Sequence, residues 1–255
     1  MKHATVLLAL VILSACEWRP SAPAVPAASD VDPPTVIAKL ASDSPEKTPY
    51  GTIAGRVIYK GPPPKSRTMY VIEAGNLEAH TIITDPQTGG LKNAVVWVEA
   101  VPARTPLAEL PLAIQDQNNW TFVPHVLAVR ARQKVRFVNR DRSNHNVHSY
   151  APGAEFNFAT PASNDYEVVY RFRRPTGTSP VKLSCDTHTW MRGWVYVFEH
   201  DAYDVTDESG AFRLAQVPAG THRLRVHHAD GSLEETHEVV VEGDGETTVE
   251  LTISS

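Results

Sequence analysis

Cysteine is almost missing from this chain: two residues in 255, Cys16 and Cys185. If processing consumes Cys16, Cys185 has no disulfide partner. A lone thiol in an exported chain is then a ligand, a reactive group or a buried inert side chain. Clusters of positive charge are also missing. The net charge is -5 and no Lys/Arg run occurs, which excludes an electrostatic nucleic-acid surface. Helical periodicity is scarce, with one short candidate over Thr105–Ile114. No His-Glu-x-x-His motif, His-x-His pair, Gly-rich phosphate loop or Ser/His/Asp arrangement stands out, so an enzyme is not expected.

The rest of the composition is ordinary. Hydrophobic residues make up 42% and charged residues 21%, a globular balance that suits one large or two small domains. The twenty prolines gather near the N-terminus and in turns.

Residues 1–16 read as a targeting segment. Lys2 and His3 precede the apolar run Val6–Leu13, which is too short to span a bilayer as a helix. The run ends in Leu13-Ser14-Ala15-Cys16, which resembles a bacterial lipobox with Cys16 as the lipidated N-terminus. The alternative is an ordinary secretory signal that leaves Cys16 as a free thiol. Several acyl chains give durable membrane attachment where one does not. Glu17 after the Cys fits, by resemblance to Gram-negative lipoproteins, a periplasm-facing anchor in the outer membrane. Residues 17–49 are rich in Ala, Pro, Ser and Asp and have no sustained apolar period, so they read as an extended tether.

Strand signals begin at Tyr50. Gly51–Tyr59 alternates and stops at Gly61-Pro62-Pro63-Pro64. Met69–Ile72, Ala94–Val98, Trp120–Val129, Val135–Asn139, Tyr166–Phe172, Val181–Ser184, Trp194–Phe198 and Thr247–Ile253 continue the pattern. Val135, Phe137 and Asn139 share one face. The expected fold is all-β.

Chemistry concentrates in one loop between two of these strands, Cys185-Asp186-Thr187-His188-Thr189-Trp190-Met191. It offers a thiol, an imidazole and a thioether at spacings of three. Asn144-His145-Asn146-Val147-His148 lies upstream and supplies a second imidazole. Two His, one Cys and a weak axial Met form the ligand set of blue-copper electron-transfer sites. A thiolate is a soft, strong donor, imidazoles suit both copper oxidation states, and a thioether favours the reduced ion. Zinc also binds Cys and His, but Met is a poor zinc ligand. A lone C-x-x-H recurs by chance; the added Met191, the upstream His145 and the strand context make the pattern specific. His148 is an alternative to His145 as a ligand, although alternation puts it on the other face. His125 reads as structural. His222 and His228 share the face of Leu224 and Val226, which predicts packing, and His227 is expected to be exposed. Trp190 has two open readings, a surface patch or core packing.

Residues 119–199 resemble a cupredoxin of the plastocyanin/amicyanin type. The matching pieces are Phe137-Val138-Asn139, His145-Asn146-Val147 and Cys185-x-x-His188-x-x-Met191, the last at amicyanin spacing. Phe122–Leu127 is similar to a segment of methylamine-utilisation-type proteins. Thr189 stands where relatives usually have Pro. The resemblance implies one type 1 copper held by His145, Cys185, His188 and Met191. It also implies that Asn146 ties the ligand loops together and that His188 is the electron port toward redox partner proteins in the cell envelope.

The C-terminal part resembles a carboxypeptidase regulatory-like domain, a transthyretin-like β-sandwich. Its motifs are Thr206-Asp207-x-x-Gly210-x-Phe212 and Val217-Pro218-Ala219-Gly220, and its opening pieces lie upstream at Gly55-Arg56-Val57 and Leu91–Val98. Two arrangements follow. In the nested one, 50–104 and 200–255 build this sandwich around a cupredoxin at 105–199. In the serial one, a cupredoxin over 50–199 precedes a small domain. Three functions remain open: an electron carrier, a copper storage, delivery or sensing protein, and a module binding carbohydrate or protein with a structural metal.

Overall fold

The computed structural model describes residues 49–255, apart from 63–65, 73–74, 81 and 163–166. The targeting segment with Cys16 and the tether up to residue 48 lie outside the described residues.

The first strands are β1 (Tyr50–Lys60), β2 (Ser66–Val71), β3 (Gly75–His80) and β4 (Val95–Val98). Next come β5 (Ala113–Asn118), β6 (Thr121–Val123), β7 (Val126–Arg130), β8 (Val135–Asn139) and β9 (His145–Ser149). They are followed by β10 (Phe156–Thr160), β11 (Val168–Tyr170), β12 (Val181–Ser184) and β13 (Arg192–Phe198). The last are β14 (Tyr203–Val205), β15 (Ala211–Pro218), β16 (Gly220–His228), β17 (Leu233–Val241) and β18 (Glu246–Ser254). The fold is all-β. The helical candidate at Thr105–Ile114 is not a helix: among the described residues the only helical turn is a 3-10 turn at Leu107–Glu109. Pro106 and Pro111 bracket that turn, and Pro111 cannot continue it. The chain then extends into β5.

Apart from β2 and β3, which pair with each other as a hairpin, the strands pair in two groups. β1 lies between β15 and β18, antiparallel to the first and parallel to the second, and β14-β4-β16-β17 forms the facing sheet. Ile53, Val57, Val96, Val98, Phe212, Leu214, Leu224, Val226 and Leu251 fill the core between these sheets. The intervening stretch builds its own sandwich, β10-β9-β12-β13-β7 against β11-β8-β5-β6, around Phe122, Val135, Phe137, Val147, Leu183 and Val195. The chain leaves the first sandwich after β4 and returns on β14. These two strands are antiparallel neighbours, Tyr203 opposite Trp97, and Val98 N–H bonds Ala202 C=O at 3.0 Å. Such adjacency of the two ends is what allows a folded unit to sit within a loop of another.

The turn after β14 shows why its residues are of these types. Thr206 Oγ1 donates to Leu91 C=O at 2.6 Å and accepts the Ala94 N–H at 2.9 Å. Asp207 Oδ1 accepts the Ser209 and Ala211 N–H groups. Gly210 sits at φ 77, and a Cβ there would lie 2.6 Å from Val57 O, so only glycine fits.

A third apolar cluster joins the two sandwiches: Val95, Trp97, Val126, Tyr196 and Phe198. Burying each large side chain contributes about 1.5–3 kcal/mol. This cluster corrects one sequence expectation. His227 is buried rather than exposed, because its side of β16 is covered by β13; its Nδ1 accepts the Tyr196 hydroxyl at 2.6 Å. Asp230 adds polar ties, accepting from Trp194 Nε1 at 3.0 Å and pairing with His125 Nε2. His125 is thus structural.

Burial, followed by the nearby charges of His228 and Arg225, depresses His227 to about 4. The unfolded chain takes up this proton near pH 6.5 and the folded one near 4. Between those values the unfolded state holds more protons. Stability present above pH 6.5 is therefore lost as the pH falls toward 4, by up to ~1.4 kcal/mol per pH unit. His227→Gln keeps an acceptor for Tyr196 and removes the titration. Urea midpoints measured across this window are expected to fall less steeply with acid in the variant than in the native protein, and parallel curves would contradict the assignment.

Candidate metal centre

The strand pattern delivers the candidate ligands to one end of the five-stranded sheet. His145 is the first residue of β9, whose alternation buries His145, Val147 and Ser149 and turns Asn146 and His148 outward. β12 ends at Ser184, opposite His148, so the Cys185–Met191 loop starts beside β9. The loop closes on itself: Met191 N–H bonds His188 C=O at 2.8 Å, and Cys185 N–H reaches Met191 C=O at 3.3 Å.

Donor atoms of His145, Cys185 and His188 lie within 4.8 Å of one another, and all three residues are buried. Cys185 Sγ is 3.6 Å from His188 Nδ1, and the Nδ1 atoms of His145 and His188 are 2.8 Å apart. A trigonal ion with metal–nitrogen and metal–sulfur bonds of ~2.0 and ~2.3 Å sets its donors about 3.5–3.7 Å apart. The sulfur–nitrogen spacing already fits, and the imidazoles need to part by less than about 1 Å. The donor chemistry, one thiolate and two imidazoles in an apolar shell, therefore suits a borderline-to-soft ion such as copper. Met191 is buried in the same cluster as Cys185.

Asn146 joins the two ligand segments. Its Oδ1 accepts the Asp186 N–H at 2.7 Å and the Cys185 thiol at 3.2 Å, while its Nδ2 donates to Asp186 Oδ2 at 2.8 Å. His148 points away from the cluster and bonds the Asp186 carboxylate at 2.9 Å. That bond is the main reason the Asp186 carboxyl stays below its usual range.

Burial opposes ionisation of Cys185, but a hydrogen bond with His145 and backbone N–H donors outweigh it and hold the thiol below its ordinary value. Burial likewise opposes a charge on His145. Bonds to Cys185 and Asp141 overcome it and raise His145. Each shift favours the charged form of its group through the contact between the two, and binding a metal ion at these donors would release the protons they carry.

Two residues here were not singled out from the sequence. Asp141 Oδ2 is 2.9 Å from His145 Nε2. The Trp120 indole stands edge-on to both imidazoles, with ring centroids 5.4 Å from His145 and 4.8 Å from His188. Trp190 flanks His188 at 5.2 Å. An acidic residue four positions before a ligand His, in a loop as short as Asp141–Asn144, was the available signal for Asp141. Trp120 carries none, since it reaches the site only through the turn between β5 and β6.

No family model matches the chain, and no curated relative matches it. Among solved structures, the chain is similar to a reduced amicyanin variant at 21% identity, over 40% of this chain and 98% of that one, with a TM-score of 0.30. A Cu-containing nitrite reductase from Thermus scotoductus is similar at 22% identity over 40% of this chain and 25% of that one, TM-score 0.31. A purple cupredoxin from Nitrosopumilus maritimus is similar at 20% identity over 34% of this chain and 99% of that one, TM-score 0.29.

Asn146→Ala removes the acceptor shared by the Cys185 thiol and the Asp186 N–H. The metal-free variant is expected to lose about 1–2 kcal/mol of stability and to react with a thiol reagent about tenfold faster at Cys185. A labelling rate equal to the native one would show that Asn146 does not hold this loop.

Proposed function

We propose that the protein is a cupredoxin-type electron carrier in which His145, Cys185, His188 and Met191 would hold one type 1 copper. The observation that carries this reading is the convergence of one thiol and two imidazole nitrogens, all buried, on the end of a rigid sandwich. When bound, copper supplies one-electron exchange between its two oxidation states. The protein's own part is to hold the donors in one arrangement for both states. Asn146 fixes the sulfur loop, Asp141 orients His145, and Trp120 and Trp190 keep an apolar wall around His188. His188 is the residue through which electrons would pass to redox partner proteins of the cell envelope, and no enzymatic turnover is proposed.

The same reading places a lipid anchor at Cys16 and an extended tether before Pro49, holding the head off an outer membrane on its periplasmic side. It also assigns 50–104 with 200–255 to a carboxypeptidase regulatory-like domain and 105–199 to the cupredoxin; the pairing of β1 with β15 and β18 supports that division. A ligand of the outer sandwich would be carbohydrate or protein. Copper storage, delivery or sensing uses the same donors, and a structural metal in a binding module is the remaining reading. A reversible one-electron response of the loaded protein separates the carrier from both.

Titration of the metal-free protein with Cu(II) is expected to produce an intense visible thiolate-to-copper charge-transfer band at one equivalent. Cys185→Ser is expected to abolish it. A colourless complex, or a band that survives the substitution, would contradict the proposal.

A further inference from the structure

The Asn119–Trp120 turn is conformationally costly. Both residues have positive φ, 58 and 61, in the left-handed region that bulky side chains avoid. The strain falls on Trp120, whereas Asn119 is a residue type that tolerates this conformation. One buried carboxylate offsets this. Asp141 Oδ1 accepts the Asn119 N–H at 2.7 Å and Oδ2 the Trp120 N–H at 3.0 Å. Hydrogen bonds to a charged group are stronger than those between neutral groups. The same Oδ2 is 2.9 Å from His145 Nε2, with the carboxylate 8% exposed and the imidazole fully buried. Asp141 is itself held, its N–H donating to Asn139 Oδ1 at 2.9 Å.

We propose, resting on the copper reading above, that Asp141 is a positioning residue of the metal centre and that Trp120, which it clamps, screens the two imidazoles from water and small anions. With its Nε2–H donating to Asp141, His145 can present only Nδ1 to a metal, the atom that faces His188. The left-handed turn carries the indole back over the same two rings, at interplanar angles of 84° and 86°. A single carboxylate therefore sets both the ligand's donor atom and the wall that closes the site. The indole covers the side of both rings that it faces, so a donor from solvent would have to displace it to reach a metal held there. A turn that only connected β5 to β6 would have no need of a Trp at positive φ, where Gly or Asn is the unstrained choice.

The test uses the full chain with Asp141→Ala, Asp141→Asn and Trp120→Gly, the last compatible with the backbone. Asp141→Ala is expected to weaken Cu(II) binding, measured by chelator competition, by about 10–100-fold. In the metal-free protein it is expected to speed amide exchange at Asn119 and Trp120 by at least about tenfold. Trp120→Gly keeps the Asp141–His145 bond, so its Cu(II) affinity is expected to stay within about threefold of native. It is also expected to admit azide, seen as a new azide-to-copper band at concentrations that leave the native spectrum unchanged. Native Cu(II) affinity in Asp141→Ala, or exclusion of azide from Trp120→Gly, would overturn the proposal. Should Asp141→Ala not fold, Asp141→Asn decides: its single acceptor oxygen can serve either Asn119 or the Trp120–His145 pair but not both, so native Cu(II) affinity together with native exchange at both amides would equally overturn the proposal. If the native protein forms no Cys185-dependent copper complex, the functional reading is what has failed. The exchange measurement needs no metal and still tests the clamp, which unprotected native amides at Asn119 and Trp120 would refute.

Discussion

Asn146 accepts hydrogen bonds from both the Cys185 thiol and the Asp186 N–H, and the geometry of the site depends on that pair of bonds. His145 comes from a strand and Cys185 from a loop forty residues later. Strand pairing brings them only as close as the single Ser184–His148 register contact. The side chain of Asn146 converts that contact into a fixed distance between the imidazole and the sulfur. On the other flank Asp141 does the same for His145 and the Trp120 turn. The donors thus converge through polar ties at the edge of a shell that is otherwise apolar: the Asp141–His145 and Asn146–Cys185 bonds are partly buried, and the Asn146–Asp186 bonds face solvent.

The two sandwiches reinforce this rigidity. The inner one is attached at both ends to neighbouring strands of the outer one, β4 and β14. Its β13 continues from the ligand loop directly into the joining cluster through Tyr196 and Phe198. Movement of the ligand loop would therefore be resisted at Trp194, which bonds Asp230 of the outer sandwich. The proposed electron carrier would require such a frame, and the buried His227 beside Tyr196 makes the frame sensitive to acid.

Much of the fold was readable wherever alternation coincided with a buried face. Val135, Phe137 and Asn139 share the buried face of β8, and Val181–Ser184 and the loop after it fall where the pattern puts them. The Cys185-x-x-His188 spacing was readable because both residues sit in one short loop. Other features were not. Thr105–Ile114 offered apolar spacing without the length or caps that would hold a helix, and prolines at 106 and 111 cut it to a single turn. His227 looked exposed because alternation describes one sheet with one wet face, whereas the joining cluster covers the second face of β16. Asp141 and Trp120 escaped for a related reason: their roles arise from a loop and a left-handed turn meeting in space, and neither has a period.

The most direct test of the central claim is X-ray absorption at the copper edge of the loaded protein, recorded in both oxidation states. The account predicts one short sulfur and two nitrogen neighbours in each state, at ~2.0–2.3 Å, with only small changes in length on reduction. A shell of nitrogen and oxygen alone, or one whose ligand number changes between the two states, would contradict it.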